Sequence, residues 1–135
     1  MSVEPNTIIR MVDTPADWAA QYKGFLTRRQ GAAKSAAKSL SFSDYAVVVQ
    51  AALLGQGIAL GWLTVVSHWL LTGALVPAAK TLTTTRRICE FVHPQDRPVR
   101  PVVLEIRDWI VAQMKSDMMA IDRLYPGLKL MASGY

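Results

Sequence analysis

Residues 41–62, with the sequence SFSDYAVVVQAALLGQGIALGW, constrain the fold more than any other stretch of the chain. Ser43 or Asp44 is predicted to cap a helix there, because a short side-chain oxygen accepts the unpaired N–H groups of a first helical turn. Gly55 stands where a residue in the left-handed conformation ends a helix at little cost. The apolar residues between them recur with a helical period and mark one face, formed by Tyr45, Val48, Val49, Ala52 and Leu53.

The helix is followed directly by a short apolar run at residues 58–60. This run shows no alternation of apolar and polar residues, as is typical of a strand that is covered on both faces. A helix that leads into such a strand is half of a parallel α/β repeat. The sequence therefore predicts an α/β fold.

Strand and helix candidates also alternate along the rest of the chain. Further strands are predicted at residues 7–12, 40–43, 75–76 and 88–92. Cys89 lies in the last of these and is predicted to be an inert core thiol. Further helices are predicted at residues 14–28, 64–71 and 102–122. The longest helix carries an inward stripe of Val103, Ile106, Trp109, Ile110, Met114, Met118 and Ile121.

The 41–62 string, a following helix and the sequence Gly73-Ala74-Leu75-Val76 together resemble the effector-binding domain of LysR-type transcriptional regulators. The resemblance extends over about residues 7–114. It implies the periplasmic-binding-protein fold, a three-layer α/β sandwich with a mixed, mostly parallel sheet. It further implies that residues 1–80 form most of the second, effector-binding lobe. Residues 81–135 would then supply the returning hinge strand, the long C-terminal helix and a tail.

Such regulators begin with a winged helix-turn-helix and a linker helix, followed by the first part of the effector domain, and we do not identify these parts here. Residues 45–71 match two helices and a turn only superficially. The resemblance is thus to the C-terminal part of a regulator. The net charge of +5 does not change this expectation, because residues 41–80 contain only Asp44 and Lys80 as charged side chains. Residues 58–71 contain no Arg or Lys for a recognition helix. We therefore expect contact with DNA only through a helix-turn-helix domain that this chain lacks.

The candidate effector site follows from the ends of the predicted strands. In open α/β sheets, ligands lie at the carboxyl ends of the strands, where the N-termini of helices favour anions. Asp44 has two possible roles, since it could favour a cationic group on the ligand or simply cap its helix. The expected effector-binding residues are Ser43, Asp44, Tyr45, Gly61, Trp62, Thr64 and Thr14.

No pattern in the sequence indicates catalysis. His68 and His93 do not lie in a zinc-binding spacing, and the serines lack a nucleophile elbow. Gly55-Gln56-Gly57 lacks the third glycine of a dinucleotide-binding turn. We therefore expect no enzyme activity, no metal and no cofactor.

The location and the partners of the chain are also predicted. The single cysteine and the absence of a signal-like apolar segment favour the cytoplasm. The most apolar region, residues 53–76, is interrupted too often to supply the about 20 apolar residues of a membrane span. Burying each apolar side chain of the stripe on the longest helix would stabilise the folded protein by roughly 1.5–3 kcal/mol, so we do not expect the stripe to stay in water. That helix either folds back on its own sheet or pairs with a second copy; we favour a homo-oligomer, with residues 80–87 as a hinge.

Effector sensing, in which a small molecule shifts the lobes or the dimer of a LysR-type regulator, is the favoured function. One alternative is a solute-binding protein of the same fold. Another is an interaction or dimerisation module without a ligand.

Overall fold

The chain divides into two compact units, Met1–Ala79 and Lys80–Tyr135. The computed structural model describes residues 7–12, 38–79, 82 and 89–130. The predicted helix at residues 14–28 and the hinge at residues 80–87 lie outside the described residues, apart from Leu82. The assignment of the two units to lobes stays a prediction.

The described part of the first unit contains a three-stranded parallel sheet. Its strands are β1 (Ile8–Met11), β2 (Ser39–Phe42) and β3 (Ile58–Ala59), in the order β2-β1-β3. Ile8 lies opposite Ser39 on one side and opposite Ile58 on the other. Because both pairings are parallel, the carboxyl ends of all three strands lie at one edge of the sheet. The predicted strands at residues 7–12, 40–43 and 58–60 thus form within a residue or so of their expected bounds.

Helix α1 (Tyr45–Leu53) covers this sheet and forms the core of the first unit with it. Val48 and Ala51 pack with Ile9, which is fully buried at the centre of the sheet. The predicted face is inward, since Val48 and Val49 are buried and its other members are half-buried. Gly55, just after the helix, has a φ of +71°. It therefore ends α1 as the sequence predicts.

Helix α2 (Leu63–Leu71) follows β3 and buries Val66 and Leu70. The strand predicted immediately after it, at residues 75–76, is wrong. The N–H group of Leu75 donates to the carbonyl oxygen of Trp69 at 3.0 Å. This bond pairs one of the carbonyl groups that are left without a partner at the carboxyl end of a helix. The N–H group of Leu75 therefore cannot bond to a neighbouring strand.

The second unit contains the long helix α3 (Pro101–Leu124) and a short 3₁₀ turn (Pro126–Leu128). Pro101 occupies the first helical position, where its missing N–H group costs no hydrogen bond. The N–H group of Leu130 donates to Oδ1 of Asp122 at 2.8 Å and holds the chain after the turn against the helix. Among the described residues of this unit, the buried side chains are Met118, Ile121, Leu128 and Leu130.

The predicted inward stripe of α3 is correct only for its carboxyl-terminal half. Met118 and Ile121 are buried, whereas Val103, Ile106 and Trp109 are 41%, 53% and 67% exposed. Ile110 and Met114, in the middle of the helix, are half-buried. The helical period places these residues on one face, but it does not determine whether another element covers that face.

The strand predicted at residues 88–92 is absent from its described part, residues 89–92. Cys89 is exposed there, so its assignment to the core is wrong. A core position for the thiol depended on this strand entering a sheet. Without that strand, the local apolar sequence alone does not bury it.

Candidate functional site

The predicted site residues follow the strands at the carboxyl edge of the sheet. Ser43 and Asp44 come directly after β2, and Gly61 and Trp62 come shortly after β3. The parallel pairing of both strands with β1 brings these two segments to the same edge. Thr14, which follows β1 in the sequence, lies outside the described residues.

Asp44 is the N-cap of α1. Its backbone is extended, and its Oδ1 accepts a hydrogen bond from the N–H group of Ala46 at 2.7 Å. Ser43, the other predicted cap, is exposed and makes no such bond. The structure therefore shows the capping role of Asp44, while a contact between Asp44 and a cationic ligand stays a prediction.

Tyr45 joins the beginning of α1 to the turn between β3 and α2. Its phenol oxygen accepts a hydrogen bond from the backbone N–H group of Trp62 at 2.7 Å. The same hydroxyl donates to the carbonyl oxygen of Leu60 at 3.2 Å. These two bonds place two of the three predicted groups of site residues in direct contact.

Leu60 belongs to this arrangement although sequence reasoning did not include it among the site residues. Only its carbonyl oxygen takes part, so the identity of its side chain carries no signal. Tyr45 and Leu60 are also 15 residues apart, which is beyond the reach of a helical or strand period. The spacing of residues alone could not have found this contact.

The N-terminus of α2 presents backbone donors at the same edge. The N–H groups of Val65 and Val66 both donate to the carbonyl oxygen of Trp62, at 2.8 and 2.9 Å. The amides of Leu63 and Thr64 precede these first helical bonds. Among the described residues, no side chain caps this end and no acid lies in the first turn. Its N–H groups and positive dipole end therefore suit an anionic group.

Gly61 allows the turn to pack closely on α2. A Cβ atom at this position would lie 3.0 Å from Cγ2 of Val66 and 3.3 Å from its Cγ1. Val66 is buried, so its side chain has little room to move away. Gly61 thus keeps the first turn of α2 next to the end of β3.

The described residues contain no cluster of three His, Cys, Asp or Glu side chains arranged as metal ligands. In the same residues, every helix is too short or too polar to cross a membrane.

A family model described as the LysR substrate binding domain matches residues 14–115, which is more than half of the chain. The chain belongs to this family. A LysR substrate-binding domain has a periplasmic-binding-protein-like α/β fold, and the parallel sheet and helices described above agree with it. Domains of this family belong to transcription regulators and not to enzymes. No curated protein and no solved structure gives a significant match.

Proposed function

We propose that this LysR substrate-binding domain senses a small-molecule effector at the carboxyl edge of its parallel sheet. The family match over residues 14–115 carries the proposal. In this proposal the domain works in the cytoplasm as a homo-oligomer, without catalysis or a cofactor. DNA is bound only by a helix-turn-helix domain that is not within these 135 residues.

The proposed effector-binding residues are those that follow the three strands. Thr64 offers a hydroxyl and a backbone N–H group at the start of α2, and Trp62 adds a half-buried aromatic side chain. Gly61 keeps this turn compact, and Tyr45 fixes it to α1. Ser43 and Asp44 lie beside Tyr45 at the end of β2, and Thr14 completes the set from the segment after β1.

The electrostatics of the site favour an anionic effector. Asp44 already satisfies an N–H group of α1, so its carboxylate is engaged in capping. The N-terminus of α2, in contrast, has free amide donors and no capping side chain among the described residues. A carboxylate is the simplest group to accept hydrogen bonds from the amides of Leu63 and Thr64. We therefore propose a small organic carboxylate as the class of effector.

Regulation requires that the effector bind two states of the domain with different affinities. Tyr45 provides a physical basis for such a difference. It connects the effector-binding turn to α1, which packs on the sheet through Val48 and Ala51. A ligand that moves the turn must break the hydrogen bonds of the Tyr45 hydroxyl to Trp62 and Leu60, or it must move α1 as well.

The experiment is a thermal-shift and calorimetric titration of the purified chain with small organic carboxylates. Each carboxylate is paired with the primary amine of the same carbon skeleton. We expect at least one carboxylate to bind saturably and to stabilise the fold by about 2.7 kcal/mol at a concentration of 100 Kd. Binding of amines alone would contradict the anionic site. Failure of every compound on a folded protein would contradict effector sensing at this edge.

Thr64→Val locates the site, since it removes a hydroxyl but keeps the backbone N–H group. Ser67→Ala is the matched control, because it removes a hydroxyl one turn further along α2. We expect Thr64→Val to weaken carboxylate binding about 10-fold, as for a lost hydrogen bond to a charged group, and Ser67→Ala to leave it unchanged. Equal effects of the two variants would place the ligand elsewhere.

A further inference from the structure

The central strand of the sheet carries a charged side chain where a parallel sheet normally carries apolar ones. Strands of a parallel sheet are usually covered on both faces, and their sequences are near-continuous apolar runs. Strand β1 has the sequence Ile-Ile-Arg-Met, so Arg10 interrupts such a run one residue before the strand ends. Departures from a local rule of this kind are expected at functional sites.

Arg10 lies on the face of the sheet opposite α1. Ile9 and Met11 pack with α1, and successive residues of a strand point to opposite faces. On the second face, Ile8 is buried at the amino end of β1, whereas Arg10 is exposed near the carboxyl end. The cover of this face therefore stops before Arg10, which is open to solvent near the edge that carries the proposed effector site.

Ser41 orients the guanidinium group of Arg10. It lies directly opposite Arg10 on β2, and its Oγ accepts a hydrogen bond from Nε of Arg10 at 3.0 Å. The terminal nitrogens Nη1 and Nη2 make no hydrogen bond to a described residue. Their parallel N–H groups match the two oxygens of a carboxylate, which arginine binds in a bidentate manner.

The described part of the first unit supplies no carboxylate to neutralise Arg10. Asp44 is the one acid in residues 7–12 and 38–79. Its Oδ1 caps α1 at the N–H group of Ala46, and no ion pair joins it to Arg10. Arg10 is therefore available to an anion that comes from outside the domain.

Arg10 is close enough to the N-terminus of α2 for one small molecule to reach both. The pairing of Ile9 with Ala59, continued by one residue, places Arg10 beside Leu60 at a strand spacing of about 4.8 Å. Leu63 follows Leu60 by three residues. Its Cα atom therefore lies at most about 12 Å from that of Arg10, even if the chain between them is fully extended.

We infer that Arg10 binds a second carboxylate of the effector, so that the effector is a short dicarboxylate. This inference rests on the proposed function, in which a first carboxylate accepts hydrogen bonds from the amides of Leu63 and Thr64. Ser41 is a positioning residue, since it fixes the guanidinium group through Nε. Two places for negative charge at one edge select a dianion over a monoanion of the same size.

The test compares dicarboxylates with their own monoamides, which have the same skeleton and one negative charge fewer. Succinate, glutarate, adipate and the three monoamides are titrated calorimetrically into the full chain at one fixed ionic strength. We expect at least one dicarboxylate to bind about 10-fold more tightly than its monoamide, as for an added charge-assisted hydrogen bond. Equal affinities within all three pairs would overturn the inference.

Arg10→Gln should abolish this preference for the dicarboxylate. Arg10 is exposed, so the variant should fold, and circular dichroism checks this. The ratio of the two affinities should fall about 10-fold, to near unity. Lys38→Gln is the matched control, because Lys38 is an exposed cation directly before β2, at the opposite edge of the sheet. An equal fall of the ratio in Lys38→Gln would assign the preference to net charge and overturn the inference.

Ser41→Ala tests the positioning role. It should lower the ratio of the affinities about 3-fold, as for one lost hydrogen bond. Ser39→Ala is the control, because Ser39 is an exposed serine on the same face of β2, opposite Ile8. A purely structural loss would weaken both ligands alike and leave the ratio unchanged. Equal ratios in the two serine variants would overturn the role of Ser41.

Thr64→Val separates this inference from the proposed function. It should weaken both members of a pair and keep most of the preference for the dicarboxylate. Dicarboxylate binding that depends on Arg10 but not on Thr64 would support the second carboxylate site and contradict only the site at α2. Monoamide binding that depends on Thr64, with no gain for any dicarboxylate, would contradict only the role of Arg10.

Discussion

At the scale of single residues, the hydroxyl of Tyr45 is the part of the candidate site with the clearest geometry. Tyr45→Phe removes the hydrogen bonds of the phenol oxygen to the Trp62 N–H group and to the Leu60 carbonyl oxygen, both in a partly buried place. Two such bonds together contribute about 1–3 kcal/mol. We expect the free energy of unfolding in urea to fall by that amount, and the affinity for the carboxylate to fall with it.

Thr72→Val is the control for the lost hydroxyl. The Thr72 hydroxyl is exposed and donates only to the His68 and Trp69 carbonyl oxygens of its own helix. Its loss should change the free energy of unfolding by less than about 0.5 kcal/mol. A Tyr45→Phe variant as stable as Thr72→Val would show that the bonds of Tyr45 do not hold the turn.

Asp44 and Tyr45 show which parts of the site the sequence could predict. The cap of Asp44 on Ala46 spans two residues, so local chemistry was enough to predict it. The bond from Tyr45 to Trp62 spans 17 residues and depends on how α1 and β3 pack. The sequence predicted that Tyr45 and Trp62 both lie at the candidate site, but it did not predict the hydrogen bond that connects them.

At the scale of elements, Gly57 determines whether β3 can join the sheet. A Cβ atom there would lie 2.3 Å from the carbonyl oxygen of Thr7. That oxygen accepts the hydrogen bond from the N–H group of Ile58 at 2.9 Å, which begins the pairing of β3 with β1. Gly57→Ala should therefore push β3 away from β1 and lower the free energy of unfolding by about 1–3 kcal/mol.

Gly55→Ala is the matched control for this prediction. Gly55 also has a positive φ, but nothing lies within 4 Å of its added Cβ atom. The free energy of unfolding of Gly55→Ala should fall only by about 1–2 kcal/mol, the cost of the left-handed conformation for a residue with a Cβ atom. Strand β3 should stay in place. Amide hydrogen exchange distinguishes the two variants, because only Gly57→Ala should expose the N–H group of Ile58. Unchanged protection of Ile58 in Gly57→Ala would contradict the prediction.

The elements that the sequence predicted well are those with a strong local signal. The cap at Asp44 and the stop at Gly55 bound α1, and Pro101 begins α3. The short apolar runs at residues 75–76 and 88–92 had no such signal. At Leu75 the N–H group that a strand would need is bonded to α2.

At the scale of the whole molecule, the burial of α3 was the least predictable property. The same apolar period runs along the helix, yet only Met118 and Ile121 are buried. Whether a face is covered depends on distant parts of the chain or on another copy, and periodicity contains neither. The family match supplied the fold of the domain, and it spans both compact units.

The non-helical segment before α3 predicts where a protease cuts the second unit. Glu90 lies in the described segment of residues 89–100, which contains neither helix nor strand, and Glu105 lies within α3. Both side chains are exposed, so a glutamate-specific protease distinguishes them only by the backbone. Because cleavage requires an extended backbone that a helix must unfold to supply, we expect cutting after Glu90 and protection of Glu105. Mass spectrometry of a short digest should then show an intact fragment that begins at Phe91. Cutting after Glu105 at an equal rate would contradict this prediction, because it would mean that the amino-terminal half of α3 opens as readily as the segment before it.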